Sequence, residues 1–154
     1  MIVIADTTPL NYLIRIGEVS ILAHLYRKIV IPSAVQTELL DIGAPDTVRA
    51  WMASPPEWVD VHTADAIPSM FPSNLDIGEI EAIALAETLH ADLLIVDDML
   101  ARREAERRGL HAVGTLGVLR EASKAGLLDL RSALFRLRQT NFRISATVLS
   151  YLLS

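Results

Sequence analysis

Cysteine is absent from the 154 residues. That excludes disulfides, thiolate zinc sites and cysteine nucleophiles together, and makes a reducing cytoplasm the expected compartment. Aromatic residues are only 5% of the chain, too few for broad stacking recognition of single-stranded bases. Long apolar runs are missing too, so no membrane span is expected. Ile2-Val3-Ile4 has no basic flank and meets Asp6 almost at once, so it reads as a strand rather than a signal peptide. Glycine is sparse and never spaced as G-x-x-x-x-G-K-[ST], G-x-G-x-x-G or G-x-S-x-G, which argues against a nucleoside-triphosphate loop, a dinucleotide site and a nucleophile elbow. His24, His62, His90 and His111 are scattered, with no metal-binding spacing.

What is present is a 51% hydrophobic chain, enough for one domain with a full core over residues 1–154. The net charge of −5 hides an asymmetry: residues 1–101 hold 4 Lys/Arg against 15 Asp/Glu, and residues 102–154 hold 10 against 4. An acidic first part of −11 therefore precedes a basic second part of +6.

Ile2-Val3-Ile4, Ile29-Val30-Ile31 and Leu93-Leu94-Ile95-Val96 are continuously apolar and mostly β-branched, the pattern of strands covered on both faces of a parallel sheet. Trp58–Val61 and His111–Val113 are two further short strands. Helical patterns lie between and after them: Pro9–Gly17, Val19–Arg27, Pro32–Asp41, Ile77–Leu89, Thr115–Lys124, Leu128–Gln139 and Ser145–Leu153. An arginine-rich, helix-like segment also follows Asp97-Asp98. The Ile77–Leu89 helix is apolar on most sides and is expected deep against the sheet. Residues 62–75, with Pro68 and Pro72, read as a connecting loop. The expected fold class is α/β, an α/β/α sandwich with a central parallel sheet.

In such a sheet the ligand crevice lies outside the carboxyl ends of the strands. Asp6 follows the first strand after one alanine and Asp97 ends the Leu93–Val96 run, so both emerge on that edge. Asp76 and Glu79 begin the Ile77–Leu89 helix on the same edge, and Glu38 lies roughly 9 Å along the helix opened by Pro32. Taken singly, Asp6, Asp76 and Asp98 read as helix caps and Glu38 as a surface residue. As a set they imply strong mutual repulsion, relieved by raised pKa values or by a cation. Oxygen-only carboxylate ligands suit Mg2+ or Mn2+, whose shells are commonly completed by water and phosphate.

Asp6-Thr7-Thr8-Pro9-Leu10, Pro32-Ser33-Ala34-Val35 before Glu38, Gly78-Glu79 before Glu81-Ala82-Ile83-Ala84-Leu85-Ala86, and Ala91-Asp92-Leu93-Leu94-Ile95-Val96-Asp97-Asp98 occur in an order and spacing that resembles PIN-domain nucleases. The prokaryotic branch related to VapC-type toxins is the most similar, and Gly114-Thr115-Leu116-Gly117-Val118-Leu119 and Asn141-Phe142-Arg143-Ile144-Ser145 carry the similarity onward. The resemblance implies an acidic centre binding Mg2+ or Mn2+ for RNA cleavage, with Asp6, Glu38, Glu79 and Asp97 as metal ligands and catalytic residues. Thr8, Asp76 and Asp98 are auxiliary candidates, and a shift in helix phase would let Asp76 or Glu81 exchange roles with Glu79. Many toxin members carry threonine two residues before the last acid; this chain has Ile95. The resemblance also implies a cognate antitoxin protein and a homodimer as partners.

Because an acid cluster repels phosphate, RNA binding is expected to need a cationic track as well as metal. Arg102, Arg103, Arg136 and Arg138 are candidates for it, with Arg107, Arg108, Arg131 and Arg143 near them in sequence. Solvated helix faces are the plain alternative reading of these arginines. Two other functions compete: a catalytically inactive PIN-like protein-interaction module, and a receiver-type phosphotransfer domain. The latter fits less well, because the acid pair ends a late strand and the only lysines are Lys28 and Lys124.

Overall fold

The computed structural model describes residues 1–65 and 70–154. In chain order the elements are β1 (Val3–Ala5), α1 (Thr7–Arg15), α2 (Ile21–Tyr26), β2 (Ile29–Pro32), α3 (Ser33–Leu40), α4 (Asp46–Ala53), β3 (Val59–His62), α5 (Ile77–Thr88), β4 (Leu93–Ile95), α6 (Met99–Arg107), β5 (Ala112–Val113), α7 (Thr115–Lys124), α8 (Leu130–Arg138) and α9 (Ala146–Leu153). The five described strands form one parallel sheet in the order β3-β2-β1-β4-β5. Strand order therefore reverses at β1, which has β2 on one side and β4 on the other. Ala5 pairs with Ile95, bringing the exits of β1 and β4 side by side.

The apolar runs are continuous because each face of the sheet has its own core. Val3, Ala5, Ile29, Ile31 and Ile95 face one cluster with residues of α1, α2, α3, α4, α7 and α8, while Ile4, Leu94 and Val96 face another built with α5 and α6. Ile4, Leu94 and Ile83 are fully buried, and removing each from water contributes roughly 1.5–3 kcal/mol. The small Ala82 and Ala86 of α5 are also fully buried, so α5 lies deep against the sheet, as its composition predicts. Leu89 ends that helix and His90 adopts a left-handed φ of 52°, turning the chain into β4.

β3 forms despite Pro55-Pro56 because the prolines precede the strand and, among the described residues, β3 lies at the sheet edge, paired only with β2. α4 is absent from the sequence reading. Its apolar set is short, Val48, Trp51 and Met52, and Trp51 meets Trp58 across the following turn at 5.9 Å between ring centroids. The expected 62–75 loop is irregular over residues 63–65 and 70–76 apart from turns, and Pro68 lies outside the described residues. α9 only partly joins the core: Leu149, Leu152 and Leu153 pack against it, whereas Tyr151 is 63% exposed. Among the described residues no helix is long and apolar enough to cross a membrane.

Candidate metal centre

The backbone N–H of Asp6 donates to Ile95 O at 2.9 Å, which fixes this residue at the mouth of β1 and β4. Asp6 occupies the N-cap position of α1, but its carboxylate makes no capping bond. It is 4% exposed and its pKa is raised to about 8. Burial is the chief cause; a bond from the Thr7 backbone opposes it, and the charges of Asp76, Glu79 and Glu38 add to it.

Asp76 and Glu79 form a capping box at the start of α5. The Glu79 N–H donates to Asp76 Oδ1 at 2.8 Å, and the Asp76 N–H donates to Glu79 Oε1 at 2.9 Å. This satisfies two otherwise orphaned helix-end donors and orients the Glu79 carboxylate, leaving its Oε2 outside the box. Glu38 is placed by α3, whose Val35 and Leu39 are buried in the core. The two helices are joined by Glu81, which accepts from Ser33 Oγ and from Ala34 N, each at 3.3 Å. Glu81 thus caps α3 instead of exchanging places with Glu79.

The meeting point is Gly78. A Cβ there would stand 2.6 Å from Glu38 Oε1, 3.4 Å from Asp6 Oδ1 and 3.5 Å from Asp76 Oδ1. Carboxylates from a strand end and two helices therefore converge on one small residue. Burial raises the pKa values of Glu38 and Glu79 as well, and neighbouring carboxylates raise them further. The convergence stops short of a closed cage: among the described residues, no three His, Asp or Glu side chains are poised around one metal position.

Asp97 is placed differently. It faces the start of α7, where the Thr115 N–H donates to Oδ1 at 2.7 Å and the Thr115 hydroxyl to Oδ2 at 2.6 Å. Its pKa is raised by burial, against these two bonds and the nearby Arg102 charge. Gly114 permits the approach, since a Cβ there would lie 2.6 Å from Asp97 Oδ1. Of the four acids named from sequence, Asp6, Glu38 and Glu79 share one cluster, joined by Asp76, while Asp97 stands beside it in a bonded niche. Asp98 accepts from Ala101 N at 3.0 Å and caps α6.

Two hydroxyls matter that sequence reasoning did not single out. Thr115 is fully buried against Asp97. Thr7, and not the exposed Thr8, lies by Glu38 and favours its ionised form, although Thr7 Oγ1 is buried without a well-formed hydrogen bond. A hydroxyl at each helix start on the acidic sheet edge was the available signal. Beside Thr7 and Glu38 opens a cavity of about 420 Å³, also lined by Asn11, Leu39 and Val48.

The arginines have separate fates. Arg107 and Arg108 both bond Glu104, lowering its pKa to about 2. Arg108 also reaches Glu87 at 2.8 Å and Met70 O at 2.7 Å and covers the Phe71 ring, tying α6 to α5. Arg136 bonds Ile16 O and Glu18, tying α8 to the end of α1. Arg103 is exposed on α6, and Arg138 borders a cavity of about 170 Å³ with Phe135 and Leu153. Arg102 lies beside Asp97.

A PIN-domain family model matches residues 2–154. Among solved structures, the chain is similar to a PilT N-terminus domain protein from the hyperthermophilic archaeon Sulfolobus solfataricus P2, with a TM-score of 0.54 and 19% identity over 94% of this chain and 100% of that one. Identity that low carries the fold alone. No curated protein sequence matches the chain. The parallel sheet reversing at β1 and the family match over nearly every residue agree: the chain belongs to the PIN-domain family, whose members are generally nucleases.

Proposed function

We propose that the chain is a divalent-metal-dependent endoribonuclease, hydrolysing RNA phosphodiester bonds at the carboxylate cleft above Gly78. The observation that carries this reading is that Asp6, Glu38 and Asp76 converge there from separate elements, and that the charges acting on Asp6 and Glu38 are other carboxylates. Such a cluster is disfavoured in its ionised form unless a cation joins it.

The donor set fits Mg2+ or Mn2+: it offers carboxylate oxygens without nitrogen or sulfur, at the ligand edge of a parallel sheet. Asp6, Glu38 and Glu79 would hold the ion, with Asp76 adjacent. Bound there, the metal would lower the pKa of an attacking water and offset charge on the phosphate and leaving oxygen. Asp6 contributes an oxygen free of capping duty, and its burial keeps bulk water from competing. The capping box fixes Glu79 before any ligand arrives. Thr7 lies by Glu38 and favours its ionised form, and Thr115 holds Asp97 beside the cleft.

The resemblance to VapC-type toxins supports a cytoplasmic role as the toxin of a toxin–antitoxin pair, acting as a homodimer and restrained by a cognate antitoxin. The test is cleavage of an end-labelled RNA panel with Mg2+, Mn2+ or chelator, using wild type, Asp6→Asn and Glu79→Gln. Metal-dependent cleavage that falls at least about 100-fold in both variants is expected. Cleavage surviving in both variants would place the chemistry elsewhere. No cleavage by any form, with binding to a protein partner intact, would favour an inactive interaction module.

A further inference from the structure

Beside Asp97 lies a second cavity, of about 240 Å³, bordered by Arg102, Gly114, Leu116, Phe142 and Arg143. It opens at the exit of β4, the strand next to β1, on the sheet edge that carries the Asp6 cleft. Among the described residues, Arg102 Nε is buried there without a hydrogen-bond partner, and Nη2 meets only the Met99 sulfur at 2.9 Å, a weak acceptor. The guanidinium lies over residue 114, where a Cβ would stand 3.5 Å from Arg102 Nη1, in ordinary contact. Arg143 is exposed and has no ion pair among the described residues.

The Asp97 charge acts on Arg102 but makes no direct bond to it. Both Asp97 oxygens accept from Thr115, and among the described residues no Arg102–Asp97 ion pair forms. Arg107, Arg108 and Arg136, by contrast, have carboxylate partners. A planar guanidinium with unused donors suits a phosphate oxygen pair, and Phe142 and Leu116 offer an apolar wall for the attached sugar or base.

We propose that Arg102 and Arg143 form a phosphate subsite that holds the RNA backbone beside the Asp6 cleft, gripping a phosphodiester neighbouring the one to be cut. The proposal rests on the ribonuclease reading of that cleft. The subsite supplies the positive charge that the acid cluster lacks, so it acts on substrate capture and register and leaves the chemistry to the acids.

The test measures binding of a fluorescent single-stranded RNA oligonucleotide by anisotropy, with Mg2+ present, across a salt series. Asp6→Asn protein serves as the non-cleaving background, and Arg102→Ala, Arg102→Lys and Arg143→Ala are compared in it. Each alanine variant is expected to weaken binding about 3- to 10-fold and to lower the salt slope by about 0.7, the loss of one phosphate contact on a single strand. Arg102→Lys is expected to keep the slope while binding more weakly. In the Asp6-containing protein the alanine variants should raise KM and leave kcat in place, with unchanged melting temperatures excluding a merely structural effect.

An unchanged salt slope in both alanine variants overturns the subsite, even if wild type cleaves RNA. A reduced slope without cleavage by any form upholds RNA contact at these arginines and removes the ribonuclease reading instead. Polyglutamate competing as well as RNA does, with the same dependence on Arg102 and Arg143, overturns the RNA assignment and makes the cavity a site for an acidic protein. Inorganic phosphate or adenosine monophosphate matching the oligonucleotide's affinity overturns it in favour of a free-anion site.

Discussion

Gly78→Ala separates folding from chemistry at this site. The added Cβ lies 2.6 Å from Glu38 Oε1, inside ordinary contact distance, and 3.4 Å from Asp6 Oδ1, which is ordinary contact. Glu38 must therefore swing aside by several tenths of an ångström or more, and it can, because the clash is with the end of a flexible side chain. The backbone does not resist alanine either: Gly78 is helical in α5 and is not among the residues with positive φ. Helix propensity favours alanine by up to about 1 kcal/mol, less in a first turn. Thermal melts should leave stability within about 1 kcal/mol of wild type or raise it. Cleavage should fall on the order of 100-fold, the scale expected when a catalytic group moves by about 1 Å. Calorimetric titration with Mn2+ should show weaker binding. Wild-type cleavage at wild-type stability would refute the placement of Glu38 in the proposed metal centre. A large loss of stability would refute the claim that Gly78 is kept small for the cluster rather than for the core.

The raised Asp6 pKa predicts a pH dependence of metal-free stability. The folded state holds this proton more tightly than the unfolded chain, so its contribution is complete below pH 3.8 and declines as pH rises towards about 8, by up to about 6 kcal/mol. Denaturant melts across that range should show the decline, Asp6→Asn should make it shallower while the raised Glu38, Glu79 and Asp97 keep a remainder, and Mg2+ or Mn2+ should restore stability at the alkaline end; a profile identical in Asp6→Asn would contradict the assignment. Thr115→Val removes one of the two donors to Asp97 and should cost roughly 1–2 kcal/mol, with Thr115→Ser recovering most of it in the same melts. Glu104→Ala strips Arg108 of one of its two carboxylate partners and should lower the melting temperature by several degrees, with cleavage per folded molecule retained because Glu104 lies outside the acid cluster.

The strands were legible because burial on both faces leaves a plain mark, as in Leu93-Leu94-Ile95-Val96. Asp6 and Glu79 were legible for a related reason, since the ends of such runs and the helices between them share one sheet edge. α4 was not read, because Val48, Trp51 and Met52 make too short a periodic pattern until Trp58 completes it. The Asp97 niche depends on Thr115, brought alongside by the pairing of β4 with β5, a relation that local pattern does not encode. The arginine-rich segment was read as a cationic track or a solvated helix face, but Glu104 is the buried acid that gathers Arg107 and Arg108. That choice follows from which helix face packs on α5, and it leaves Arg102 uncommitted.

Glu81 gives this centre a mechanical property. By accepting from the first turn of α3 from within α5, it links the carriers of Glu38 and Glu79 directly. An arriving ion would then close only side-chain torsions, at roughly 0.5–1.5 kcal/mol of lost freedom per side chain, without drawing helices together. Cutting the strut by Glu81→Ala should leave every proposed ligand in place in sequence yet loosen the cleft, so that, on the proposed reading, Mn2+ capture acquires a larger entropic penalty at nearly unchanged enthalpy.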